Sequence, residues 1–269
     1  MARIGASISF LFNEWPFERR FELARQAGFR AIEYGVPYRH DRQLVATLLA
    51  RSGLQYLNFL AAPGDWDGGE RGMACDPGRV EEFRLEFDKA VEWALALQVQ
   101  RLHAPAGLVP AGCDRSQALR TLRQNLLWAA GRAAAHALDV MVEPVNRHDL
   151  PGFALHTVGE ALALLRELEQ PNLGLIFDVY HVGREEGDVT ARLRQALPWV
   201  MHVQVGSPPD RHEPGCGEID VCWLIDELDR LGYRGWVGCE YRPSRGTAAS
   251  LEWARRYGID PDALGRAAT

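Results

Sequence analysis

Lysine is almost missing from this sequence: Lys89 is the only one among 30 Lys and Arg residues in 269. A Schiff-base enzyme needs a lysine amine where it reacts, and Lys89 falls inside a predicted helix, so that chemistry is excluded. Cysteine is sparse and unpatterned. Cys75, Cys113, Cys216, Cys222 and Cys239 are odd in number and hold no C-x-x-C pair. That argues against a disulfide framework and for reduced thiols in a cytoplasmic protein. Long apolar runs are lacking too. The stretch 4–12 is soon followed by Asn13 and Glu14, and is too short for a signal peptide or a membrane span. Positive charge is in deficit: the formal net charge is −6, which gives a nucleic-acid partner no electrostatic help. No linker divides the chain, and no G-x-G-x-x-G follows a strand, which removes the best sign of a dinucleotide fold.

What is present is an alternation. Strand-like stretches at 3–9, 30–34, 54–59, 100–104, 139–143, 173–178, 200–205 and 236–240 are separated by helix-like ones. The helices are expected at 16–27, 41–52, from 80 onward, and at 114–137, 158–169, 186–196, 221–231 and 247–257. The third has the clearest period, with Val80, Phe83, Phe87, Val91 and Ala94 at three- and four-residue spacing. Asp114 is placed as the N-cap of the fourth. Several strands are continuously apolar, which implies a parallel sheet covered on both faces. At 269 residues the chain fits one α/β domain over 1–269, a single (β/α)₈ TIM barrel of ~250 residues. An open doubly wound sheet is the alternative.

Four late strands end alike, in Glu143, Asp178, near Gln204, and in Glu240. By the period of two, His202 and Gln204 share a face, as do Ile176 and Asp178, and Gly238 and Glu240. Pointed inward, these side chains converge at the C-terminal mouth, where barrel enzymes place catalysis. Each acid taken alone could be a helix cap or a rim ion pair. Together they would repel, and a divalent cation resolves that cost. Three carboxylates and an amide oxygen suit Mg²⁺ or Mn²⁺ better than Zn²⁺.

Several runs resemble the hydroxypyruvate isomerase family of xylose-isomerase-like barrels. They are Phe-Arg-Ala-Ile-Glu33-Tyr, the Gly-rich 63–72, Val142-Glu143-Pro-Val-Asn146, Asp178-Val-Tyr-His181, Glu213-Pro-Gly-Cys-Gly-Glu218-Ile and Gly235-Trp-Val-Gly-Cys-Glu240-Tyr. The resemblance covers nearly the whole chain. It implies that Glu143 and Glu240 transfer protons, and that Glu143, Asp178, Gln204 and Glu240 surround one divalent metal ion. Wider relatives hold His where Gln204 stands, so the harder Mg²⁺ is favoured, with Mn²⁺ second. The implied reaction converts hydroxypyruvate to 2-hydroxy-3-oxopropanoate through an enediolate.

The substrate's carboxylate calls for a cation, and Arg71 and Arg211 are the choices, since a guanidinium fork suits a carboxylate. His181 is expected to hold a substrate oxygen. His148 and His202 are read as structural or supporting, Glu33 and Glu218 as orienting or solvated groups, and Trp66 and Trp236 as packing. The loop 64–72 could close over the site. The competing readings are a 2-oxo-tetronate isomerase, a ketose 3-epimerase, a non-catalytic binding barrel and an apurinic-site endonuclease. The last needs a histidine-rich zinc cluster and a basic face, which Gln204 and the net charge oppose. The expected partner is a small hydroxy-oxo acid, with no nucleic acid and no membrane. Pairing into a homo-oligomer is compatible with the fold.

Overall fold

In the structure, a computed structural model that describes residues 2–266, alternating strands and helices close on themselves. The single unit expected over 1–269 reaches beyond those residues at both ends. The strands are β1 (Arg3–Ser7), β2 (Ala31–Glu33), β3 (Gln55–Tyr56), β4 (Asn58–Leu60), β5 (Arg101–His103), β6 (Asp139–Val142), β7 (Leu173–Asp178), β8 (Val200–Val205) and β9 (Trp236–Cys239). All pair in parallel, in the order β3-β2-β1-β9-β8-β7-β6-β5-β4.

The two ends of that order are consecutive pieces of one stretch, interrupted at Leu57. β3 pairs with β2, and β4 with β5. The Leu57 N–H donates to Ile32 O at 2.9 Å and the Leu60 N–H to Gly35 O at 2.9 Å. The stretch therefore bonds to both neighbours and shuts the circle. Counted as one strand, it makes the expected eight-stranded TIM barrel.

The principal helices are α1 (Phe17–Gln26), α2 (Arg42–Ser52), α3 (Val80–Leu97), α4 (Arg115–Ala134), α5 (Val158–Leu168), α6 (Val179–Glu185), α7 (Val189–Ala196) and α8 (Val221–Arg230). α3 buries Phe83, Phe87, Val91 and Ala94 of the periodic set and leaves Val80, in its first turn, half-buried. α2 begins at Asp41, whose carboxylate accepts the Leu44 N–H at 3.0 Å, and stops at Gly53 with φ 65°. Both devices satisfy backbone groups that a helix end leaves unpaired. α5 opens with a capping box in which Thr157 and Glu160 exchange side-chain and backbone bonds.

Three local expectations need correction. α6 was not expected: the chain passes from β7 straight into it because Asp178 caps it, Oδ1 accepting the Tyr180 N–H at 2.8 Å. The helix expected at 186–196 starts only at Val189, since Gly187 and Asp188 take left-handed φ values of 65° and 45°. The last one, expected at 247–257, is a single turn at Thr247–Ser250 and a 3-10 segment at Glu252–Tyr257. Asp114 does stand at the N-cap of α4, but its carboxylate takes the Ser116 hydroxyl and no helix N–H.

β7 is buried along its whole length, as a strand sealed on both faces should be. All five cysteines are free thiols. No described helix is long and apolar enough to cross a membrane.

Candidate active site

The late strands run parallel and stop together. Asp178 pairs in register with Gln204, and Gln204 with Gly238, two residues before Glu240. Glu143 follows the last residue of β6. Glu143, Gln204 and Glu240 line one cavity of about 820 Å³, with Arg211, His181 and Arg71 on its walls.

Arg211 ties the acids together. Its Nη2 donates to Asp178 Oδ2 at 2.8 Å and to Glu240 Oε1 at 2.9 Å, and the side chain is buried. It has a left-handed φ of 58°, a conformation that costs energy for a residue with a side chain. Burial opposes its charge, but Asp178, Glu240 and Glu143 outweigh that and strengthen it. The acids respond to the same setting. Burial pushes the Glu240 carboxyl up to about 8, with Arg211 opposing. Burial, then the Asp178 and Glu240 charges, push the Glu143 carboxyl well above the ordinary range. Asp178 is also raised by burial, against Arg211.

His181 sits beside them, with Nε2 3.6 Å from Asp178 Oδ2 and 3.9 Å from Glu143 Oε1. Glu143, Asp178 and His181 could by spacing alone hold a metal ion. The tautomer argues for another role. The Asp149 N–H donates to Asn146 Oδ1 at 2.9 Å, which turns the amide nitrogen of Asn146 toward His181 Nδ1 at 2.7 Å. A ring nitrogen that accepts a bond leaves the proton on the other, so Nε2 carries N–H toward the acids. Burial and the Arg211 charge hold the ring's pKa well below its ordinary value. A neutral ring protonated at Nε2 is a donor and not a ligand.

The fit of the expected oxygen donors to a divalent cation rests on two orphans. Glu143 Oε1 and Gln204 Oε1 are buried and bond to nothing among the described residues. Such atoms are costly unless something unseen meets them. Two hard oxygens on residues that line one cavity suit a hard divalent cation.

Arg71 lies in the loop after β4. Its Nη1 donates to the carbonyls of Trp66 and Glu70, and its guanidinium stacks 4.4 Å over the Trp66 ring. It has no carboxylate partner among the described residues. Trp66 thus lines the cavity and holds Arg71, beyond the packing role expected for it. The stem of this loop is fastened: the Gly72 N–H donates to Pro63 O at 2.9 Å, and a side chain at Gly72 would collide with Pro105.

Glu33 is more than the orienting or solvated group that the sequence suggests. It is buried beneath the acids, with Oε1 2.9 Å from His202 Nε2 and Oε2 2.7 Å from Gln204 Nε2. His103, also missed, lies 3.7 Å from Glu143 Oε2, and its Nε2 is buried without a partner. Burial holds its pKa down at about 3, so the ring is neutral. Strand parity alone could have suggested His103 as an inward residue at the end of β5. Glu218 and His148 are exposed, and Trp236 packs in the wall under Arg3.

Comparison with known proteins agrees with this fold. The family model described as a xylose isomerase-like TIM barrel matches residues 21–257. A 2-oxo-tetronate isomerase from Cupriavidus necator is 42% identical over 96% of this chain and 99% of its own. The hydroxypyruvate isomerase of Escherichia coli is 39% identical, over 96% of this chain and 100% of that protein. Among solved structures, an AP endonuclease, family 2, from Brucella melitensis superposes with a TM-score of 0.93 at 41% identity, covering 96% of this chain and 99% of that one.

Proposed function

We propose, from the premise that the chain belongs to the xylose isomerase-like TIM barrel family, that it isomerises short hydroxy-oxo acids, converting hydroxypyruvate to 2-hydroxy-3-oxopropanoate. One observation carries this reading: two acids, the buried Glu143 and the half-buried Glu240, face a single cavity whose other walls supply donors and cations.

The reaction moves one proton from the hydroxymethyl carbon to the carbonyl carbon, and one from the hydroxyl oxygen to the former carbonyl oxygen. Glu143 and Glu240 handle the carbon-bound proton, one taking it and the other supplying its replacement. Raised carboxyls suit this work, because a carboxyl held above its ordinary range can keep and hand over a proton. His181 Nε2–H donates to a substrate oxygen. Arg71 is freer than Arg211 to meet the substrate carboxylate, since Arg211 already spans Asp178 and Glu240. Glu143, Asp178, Gln204 and Glu240 would hold the cation, Mg²⁺ before Mn²⁺. When bound, it supplies positive charge to the oxygen of the reacting carbonyl. Free thiols and the absence of a spanning helix among the described residues fit a cytoplasmic enzyme.

A second reading, with the four-carbon 2-oxo-tetronate as substrate, is favoured by the relative at 42% identity. A cavity of about 820 Å³ leaves room for the extra carbon. Both acids should be assayed side by side, with chelation and Mg²⁺ rescue, and an abasic oligonucleotide as control. Turnover of one acid that is lost on chelation and regained with Mg²⁺ is expected. Turnover of neither sinks the isomerase reading, turnover indifferent to chelation removes the metal, and nicking of the oligonucleotide moves the chain to another class.

A further inference from the structure

We infer that Glu33 is a positioning residue that fixes the side-chain amide of Gln204 so that its oxygen, and not its nitrogen, faces the cation. The inference rests on the metal site proposed above and concerns a residue with no part in the proton transfer.

A glutamine amide is nearly symmetric in shape, and either end can face a cavity. Only its bonds decide. Here Gln204 Nε2 has two hydrogens and two carboxylate acceptors: Glu33 Oε2 at 2.7 Å, and Glu240 Oε2 in a shorter contact. Glu33 Oε2 also receives Asn58 Nδ2, so it acts there as an acceptor and meets the Gln204 nitrogen. With both hydrogens engaged, Oε1 is left buried and unpartnered. If the amide were reversed, its oxygen would face the Glu33 carboxylate and a nitrogen would face the cation.

Glu33 is itself held in place. Its Oε1 meets His202 Nε2 at 2.9 Å, and Asn58 Nδ2 approaches its Oε2 at 3.4 Å. The carboxylate lies over Gly238, in register with Gln204 on the next strand, where any Cβ would collide with it. A missing side chain on β9 thus makes the space through which an acid from β2 reaches an amide on β8. Partners of ligands commonly change metal affinity 10–100-fold when removed.

The test is Mn²⁺ affinity, read as free Mn²⁺ by electron paramagnetic resonance, in the parent, Glu33→Ala, Gln204→Ala and the double variant. Circular dichroism checks each fold. Glu33→Ala should weaken Mn²⁺ at least about tenfold, and Gln204→Ala should add little once Glu33 is gone. In metal-free protein with ¹⁵N-labelled glutamine, the Gln204 side-chain hydrogens should resist solvent exchange in the parent and lose that protection in Glu33→Ala. Should Glu33→Ala not fold, Glu33→Gln replaces it, with a smaller loss expected because one amide oxygen can still accept. Parent affinity in the Glu33 variant, or losses that add in full, overturns the inference and leaves the metal site standing. A parent that binds no divalent cation overturns both.

Discussion

The two arcs of the barrel are built differently. β6 to β9 bring Glu143, Asp178, Gln204 and Glu240 to or beside their C-terminal ends, and β7 and β8 run for six residues each. β2 to β5 are two or three residues long, and the groups they bring to the cavity are neutral or already paired: Glu33, Asn58 and His103. The cations of the early arc sit beyond its strands, Arg71 in the loop after β4. Long strands hold their ends rigidly, which suits groups that must meet a reacting carbon within a fraction of an ångström. Short strands and long loops suit groups that recognise a charge. The late arc is the place for chemistry, and the early arc for support and selection.

Substitutions on the two arcs should therefore fail in different ways. The largest effect is expected from Glu143→Gln and Glu240→Gln. Each keeps size and an oxygen ligand but removes the proton carrier, so turnover should drop at least ~10²-fold while metal content falls only modestly. Solvent-deuterium incorporation into recovered substrate by the metal-loaded variants decides it. A variant that still exchanges and turns over at the parent rate takes that acid out of the relay.

Arg71→Ala should chiefly raise KM, since a charge-assisted pair contributes ~1.5–3 kcal/mol. Arg211→Ala should lower kcat as well, because it frees Asp178 and Glu240 from their shared guanidinium. Identical kinetic profiles in the two variants would erase the distinction between the arcs.

Gly238→Ala tests the point where the arcs interlock. The added methyl takes the space of the Glu33 carboxylate, so stability should fall by ~1–3 kcal/mol, as for an overpacked core. Metal affinity should fall with it. A melting curve and an affinity that both match the parent would mean the neighbours yield freely.

The smallest effect is expected away from the site. Thr157→Ala should cost about 1 kcal/mol through the lost α5 cap and leave kcat and KM unchanged. The partner in that cap gives a pH signature. Burial raises the Glu160 carboxyl, but the His156 and Thr157 N–H groups and Arg115 outweigh it and hold it below its ordinary 4.5. Its contribution to stability is therefore full above pH 4.5 and fades as the pH falls through and below that value. Glu160→Gln should flatten the acid limb of a denaturation series, and an unchanged limb would discount the cap.

The late arc could be read in the sequence because its signal is local. Each acid closes a run of inward and apolar residues, and parity says which way it points. The early arc resisted because its meaning is distant. Glu33 looks like any acid at the end of a three-residue strand until Gly238, His202 and Gln204 are brought across the barrel to meet it. α6 was missed for a related reason. Asp178 was read as a site acid, and one of its oxygens also starts a helix. The sequence offers Arg211 and Arg71 alike, yet only the fold shows that one is engaged by carboxylates and the other rests on a tryptophan face.

The interruption at Leu57 gives the barrel a seam. β7 and β8 are joined over four register positions, whereas β2 and β3 are joined over two. Local opening is easiest where the ladder is shortest. Amide hydrogens at Gln55 and Leu57 should trade with solvent well before those of β7. An excursion at the seam draws Asn58 away from Glu33 and slackens the support beneath Gln204, while Glu143, Asp178 and Glu240 ride on the opposite arc, whose ladders stay shut.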